Sequence, residues 1–190
     1  IAQDFIGNDN VSLILGDNIF YFPSLSSIVI PSIKSIGASI FAYHVSDPSR
    51  YGVVEFNEQN QIISIEEKPK KPKSNYAIPG FYFFDNNVIN YVKQLKPSAR
   101  GELEITDLII KYHERNLLNV IQMNKGTAWL DTGTVSSLME ASQFVQVLES
   151  RQGLKVGCVE EQAYCKKYIN DSQLKKLAKP YNNGYGQYLM

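Results

Sequence analysis

The hydrophobic positions of this chain fall into short runs separated by polar punctuation, and the period within each run changes along the sequence. The run Val11 to Leu15, followed by Gly16, Asp17 and Asn18, predicts a buried parallel strand ending in a loop. A run of that type expects a neighbour on each side. Leu25 to Ile36 predicts a helix that Pro31 kinks or ends. The β-branched and aromatic run ASIFAYHV predicts a second buried strand. Val53 to Phe56 and Ile62 to Ile65, separated by NEQN, predict a hairpin that ends at Glu66, Glu67, Lys68 and Pro69. The KPKKPK stretch beyond it is expected as exposed loop.

Gly80 to Phe84 predicts a further strand, after which Asn86 or Asn87 is placed to cap a helix over VINYVKQL. Thr106 is placed to cap another, with Leu108, Ile109 and Tyr112 on one face. LLNVIQM and TAWLD predict strands. The turn at Asp131, Thr132, Gly133 and Thr134 then leads into the longest helix, where Val135, Leu138, Met139, Ser142 and Val145 repeat at helical spacing and Gly153 is placed to end it. Helical patterns around EEQAYCKKY and SQLKKLAKP follow, then a tail rich in Gly, Asn and Tyr.

Strands alternating with helices predict an α/β fold in three layers around a mixed, largely parallel sheet. Residues 1–153 are expected to form this core and residues 154–190 a helical appendage.

Composition narrows the function. With 44% apolar and 12% aromatic residues, 190 residues suffice for one real core. Nineteen basic and nineteen acidic residues give zero formal charge without blocks of either sign, which argues against nucleic acid as a partner. No apolar run approaches the roughly 20 residues that cross a bilayer, and the first ten residues lack a signal-peptide pattern. The reading is cytoplasmic, with no membrane partner. Cys158 and Cys165, seven apart in a helical pattern, would sit about 10 Å apart, beyond the roughly 7 Å reach of a disulfide.

Several polar residues carry candidate chemistry, and each admits a plainer reading. Asp17 follows a strand, where a carboxylate either reaches a ligand over the sheet edge or shapes a turn. Asp131 either joins it at a magnesium ion, which asks for only one or two carboxylates, or belongs to ordinary capping. Glu67 and Lys68 either meet sugar hydroxyls and phosphate or lie on a solvated hairpin end. Arg100 either forks onto phosphate or pairs with Glu102 or Glu104. Trp129, the single tryptophan, offers a flat face to a sugar or fills the core. His44 and His113 have no nucleophile partner, and Gly184 and Gly186 follow no strand, so neither covalent His catalysis nor a dinucleotide fingerprint is supported.

Taken in order, LGDNIFY, AYHVSDPSRYGVVEF, EEKPKKPKSNYA, PSARGELEITD, AWLDTGT, SRQGLKV and NNGYGQYL resemble the glucose-1-phosphate thymidylyltransferase family of sugar nucleotidylyltransferases. The resemblance covers nearly the whole chain. It implies transfer of a thymidylyl group from dTTP to glucose 1-phosphate, giving dTDP-glucose and pyrophosphate by magnesium-assisted direct displacement, on the way to sugars such as rhamnose. It further implies that Asp17 and Asp131 ligate Mg2+, with Asp17 also on the substrate side. Tyr51, Gly52, Glu67, Ile78 and Trp129 would surround the glucose, while Lys68 and Arg100 hold the sugar phosphate.

The family is similar throughout in forming homotetramers, and the apolar residues of the appendage suit either an interface or packing onto their own domain. A second nucleotide site in the family would be lined here by Tyr21 and Val156. Phe22 and Cys165 stand where glycine and arginine are expected, which argues against feedback inhibition. The glycine-rich G-x-G-T-R-L loop of the family and its K-P lysine are not among these residues. The expectation is that about the first third of such an enzyme lies outside them and that the chain alone is inactive. The alternatives are a UTP- or GTP-dependent enzyme for another sugar phosphate, and a non-catalytic subunit that keeps only the sugar side.

Overall fold

The computed structural model describes residues 2–22, 29, 32–33 and 36–190. The helix expected over Leu25 to Ile36 falls for the most part outside them. The chain divides into two compact units, Ile1–Gly133 and Thr134–Met190, which groups the long helix with the helices that follow it.

The first unit begins with α1 (Gln3–Ile6), β1 (Val11–Ile14), β2 (Asn18–Tyr21), β3 (Ala38–His44), β4 (Gly52–Phe56), β5 (Ile62–Glu67), β6 (Tyr76–Ile78) and β7 (Phe81–Phe84). It continues through α2 (Val88–Val92), α3 (Ile105–His113), β8 (Leu118–Gln122) and β9 (Ala128–Asp131). The main sheet runs β1-β7-β3-β6-β4-β5, with β8 on the other side of β3, and β2 and β9 form a separate ribbon.

The mixed α/β class is as expected, but the pairing departs from a largely parallel sheet. Among the described residues β3 with β8 is the parallel ladder, and the other ladders are antiparallel. Apolar runs report that both faces of a strand are covered and say nothing of its neighbour's direction. The short connections decide it. Asn57 Oδ1 accepts from the amides of Gln59 and Gln61, at 3.0 and 2.8 Å, and Asn60 takes a left-handed φ of 58°, so β4 turns straight back into β5.

Strand β3 organises the core because its two faces are both covered. Ala38, Ile40 and Ala42 pack with Tyr82, Phe84 and the α3 residues Leu108, Ile109 and Tyr112. Phe41 points the other way, onto Phe81 and Phe83, with Phe20, Phe22, Val29 and Ile121 around them. Ile109 and Tyr112 are fully buried, and each such side chain contributes about 1.5–3 kcal/mol by leaving water.

Three local expectations are corrected. The run at Val11 to Leu15 does form a strand, but an edge strand paired antiparallel with β7, and Leu13, Ile14 and Leu15 are exposed. Neither Asn86 nor Asn87 caps α2 with its side chain. Asp85 accepts from the Asn87 amide instead, while the Asn86 side chain donates to the carbonyls of Gly7 and Asp9. Thr106 lies inside α3, one residue past its start, and Glu104 stands at the cap position.

The second unit comprises α4 (Val135–Gln152), α5 (Val159–Cys165), α6 (Asp171–Ala178) and α7 (Gly184–Leu189). Thr134 caps α4 in a reciprocal bond with Ser137, and Gly153 ends it with a left-handed φ of 69°. The tail rich in Gly, Asn and Tyr is α7, capped by Asn183 and held by a small core of Cys158, Ala178 and Leu189. Both cysteines are free, Cys158 buried just ahead of α5 and Cys165 exposed at its end.

Candidate functional site

The polar site opens where β3 changes partner. β7 pairs with its first half and β6 with its second, and Pro79 and Gly80 interrupt the ladder between them. A proline offers no amide to a ladder. The Gly80 amide is satisfied from outside by the Asn18 side-chain oxygen at 3.0 Å, and its carbonyl accepts from Leu15 at 2.9 Å. The resulting gap belongs to a cavity of about 460 Å³.

Every residue expected at the site lines this cavity: Asp17, Tyr51, Gly52, Glu67, Lys68, Ile78, Arg100, Trp129 and Asp131. They arrive from six places along the chain, which only the fold brings together. Asp17 and Asp131 meet through the ribbon, where Asn18 is in register with Asp131 and Thr132 donates its amide to the Asp17 carbonyl at 2.8 Å. Both carboxylates flank Gly133. A Cβ built there would lie 3.0 Å from Asp131 Oδ1 and 3.8 Å from Asp17 Oδ2, so the absence of a side chain leaves a space bounded by the two acids.

Two carboxylate groups are the kind of donor a hard divalent cation takes. Among the described residues no group of three metal-binding side chains exists, and magnesium needs only one or two carboxylates beside phosphate and water. Five acids against three bases line the cavity, an excess that a divalent cation would neutralise. Asp131 Oδ2 accepts from the Tyr51 hydroxyl at 3.1 Å and from Arg50 at 3.3 Å, while Asp131 Oδ1 accepts from the Gly133 amide at 3.0 Å. Burial, and then the Asp131 charge, push the Tyr51 hydroxyl above its ordinary pKa, which keeps it a donor.

Another wall of the cavity is built from the end of β5. Glu67 accepts from the Thr106 hydroxyl, and its other oxygen lies 3.4 Å from Arg100 and 3.8 Å from the Lys68 ammonium. Lys68 takes a left-handed φ of 41° directly before Pro69, a conformation that non-glycine residues adopt rarely. Its side chain is half exposed at the cavity.

For Arg100 and Trp129 both open readings are partly realised. Arg100 lines the cavity, and its Nη2 also meets both Glu104 oxygens at 2.8 Å, with Nε 3.2 Å from one of them. Trp129 is 8% exposed, donates its indole N–H to Asn18 Oδ1 at 2.7 Å and stands edge to face with Tyr51, centroids 4.8 Å apart. It is a core residue whose remaining surface borders the cavity.

Sequence reasoning missed Asn18, Arg50 and Thr106 at the site, while the pairing of Arg100 with Glu104 was one of its two readings of Arg100. Asn18 and Arg50 carried a signal, since each adjoins a residue singled out for chemistry. The bond of Thr106 to Glu67 depends on how α3 meets β5, which spacing along the chain does not disclose.

A family model described as nucleotidyl transferase matches residues 1–147. A glucose-1-phosphate thymidylyltransferase of Neisseria meningitidis is 50% identical over 100% of this chain and 67% of its own length. One from Mycolicibacterium smegmatis is 53% identical over 100% and 66%. The chain thus spans about two thirds of the length of these relatives.

Among solved structures, a candidate glucose-1-phosphate thymidylyltransferase from Bacillus anthracis in complex with sucrose superposes with a TM-score of 0.66 at 44% identity. It covers 75% of this chain and 57% of its own. A UDP-glucose pyrophosphorylase complexed with UDP-glucose gives a TM-score of 0.66 at 23% identity over 75% and 58%, which shows the fold alone.

Proposed function

Because this chain belongs to the nucleotidyl transferase family, we propose that it supplies the sugar-phosphate and metal side of an enzyme transferring a thymidylyl group from dTTP to glucose 1-phosphate. The products are dTDP-glucose and pyrophosphate. One observation carries the reading: Asp17, Asp131, Glu67 and Lys68 line one cavity, with Trp129 and Ile78 as its apolar wall.

The chemistry is a direct displacement. A phosphate oxygen of glucose 1-phosphate forms a bond to the α-phosphorus of dTTP as the bond to the β-phosphate oxygen breaks, and pyrophosphate leaves with that electron pair. Such a step asks for alignment and charge neutralisation rather than a proton-transfer group. Glu67 accepts hydrogen bonds from glucose hydroxyls, and Lys68 neutralises the sugar phosphate as a point charge. Arg100 adds positive charge nearby, although its bonds to Glu104 run through Nε and Nη2. Mg2+ held by Asp17 and Asp131 would supply charge neutralisation on the phosphates.

Synthesis of dTDP-sugars such as rhamnose, a cytoplasmic location and a homotetramer belong to the same reading, on the family resemblance. Exposed Val135, Leu138 and Met139 on α4 support self-association. Among the described residues no helix is long and apolar enough to cross a membrane.

Calorimetry with Mg2+ present tests the proposal. Glucose 1-phosphate is expected to bind this chain at one site and to lose that binding in Glu67→Ala. Sugar-phosphate binding without any dTTP binding by the intact protein would favour a non-catalytic subunit. Absence of sugar-phosphate binding would overturn the reading.

A further inference from the structure

Thr106 has three features that do not follow from its place in a helix. Its residue is 2% exposed, its hydroxyl donates to Glu67 Oε2 across the junction of α3 and β5, and the facing position is glycine. A Cβ on Gly52 would lie 3.0 Å from the Thr106 hydroxyl oxygen and 3.5 Å from Glu67 Oε2, so a larger residue there would press on the pair. A threonine hydroxyl has one proton to give, and here it is given to a carboxylate. The second carboxylate oxygen, Oε1, lies toward Arg100 and Lys68.

We propose that Thr106 is a positioning residue for the sugar site, its buried hydroxyl fixing the Glu67 carboxylate so that the remaining acceptor capacity is aimed at the hydroxyls of a hexose phosphate. The proposal rests on the reading of Glu67 as a sugar-binding group. A glutamate loses more rotamer freedom on ordering than most side chains. Ordering it within the folded protein removes that loss from the binding step, which is how preorganisation raises affinity. The bond also commits one carboxylate oxygen, so a ligand meets Glu67 in one orientation. Gly52, Glu67 and Thr106 come from the start of β4, the end of β5 and the start of α3, and form one device.

Two variants separate positioning from packing. Thr106→Val keeps the volume and removes the donor, whereas Thr106→Ser keeps the donor and removes a methyl group. The rotamer of Glu67, read without ligand from side-chain NMR scalar couplings, is expected to be single in wild type and Thr106→Ser, and averaged in Thr106→Val. Glucose 1-phosphate affinity, read by calorimetry, should fall by roughly tenfold in Thr106→Val, as loss of a hydrogen bond to a charged group implies. It should stay close to wild type in Thr106→Ser. Gly52→Ala reaches the same pair by a separate route and should likewise average the Glu67 rotamer.

A packing role predicts the reverse order, with Thr106→Val like wild type and Thr106→Ser weakened, and that order would overturn the proposal. So would a Glu67 rotamer already averaged in wild type or unchanged in Thr106→Val. If the couplings follow the expected pattern while no glucose 1-phosphate binds, Thr106 still orders Glu67, and it is the sugar-phosphate reading that falls.

Discussion

Asn18 and Trp129 are joined by a 2.7 Å hydrogen bond from the indole N–H to the amide oxygen, across the ribbon of β2 and β9. The same oxygen accepts from the Gly80 amide at 3.0 Å, and the Asn18 nitrogen donates to Asp17 at 2.7 Å. One side chain therefore links a candidate metal carboxylate, the aromatic wall and the break in the main sheet.

Asn18→Leu should leave two donors without their acceptor and destabilise the first unit by about 1–3 kcal/mol. Trp129 is the single tryptophan of the chain, so its fluorescence reports the change without interference. A shifted emission maximum together with a lowered Tm is the expected result, and emission indistinguishable from wild type would refute the linkage.

The loop before α3 should respond to acid through Glu104. The Ser98 hydroxyl at 2.7 Å, and then the Arg100 guanidinium at 2.8 Å, hold the Glu104 carboxyl below its ordinary value of 4.5. A lowered folded pKa means that the unfolded chain takes up the proton first, so this stabilisation is complete above 4.5 and is lost as pH falls through the folded value. Thermal unfolding followed from neutral pH down through that range should show a decline that is shallower in Glu104→Gln. Parallel curves for the two proteins would remove Glu104 from the account.

Gly133→Ala should act on the cation site with little effect on the core. Its Cβ would enter the space bounded by Asp131 and Asp17, at 3.0 and 3.8 Å from their oxygens. Divalent cation affinity, titrated calorimetrically with Mn2+, should drop by roughly tenfold or more, since displacing one ligand from a site with so few costs at least 1.4 kcal/mol. Unaltered affinity would place the cation elsewhere.

The sequence disclosed the strands through apolar runs and the hairpin of β4 and β5 through its turn residues, because those signals are local. Burial was not legible at Val11 to Leu15: a run with four apolar residues out of five reads as buried, yet Leu13, Ile14 and Leu15 are exposed on an edge strand. β2 and β6 were also missed, and at three residues β6 is too short to establish a period. Of the site, residues with recognisable chemistry were legible one by one, Asp17 and Glu67 among them. The groups that hold them were not, because Asn18 and Thr106 act through bonds to residues 111 and 39 positions away.

Asp17 and Asp131 together are proposed to hold one cation, and electron paramagnetic resonance of Mn2+ titrated into the protein tests that most directly. One bound Mn2+ per chain is predicted, lost in Asp17→Asn and equally in Asp131→Asn while both variants keep the wild-type circular dichroism spectrum. Binding that survives either substitution would contradict a site shared by the two carboxylates.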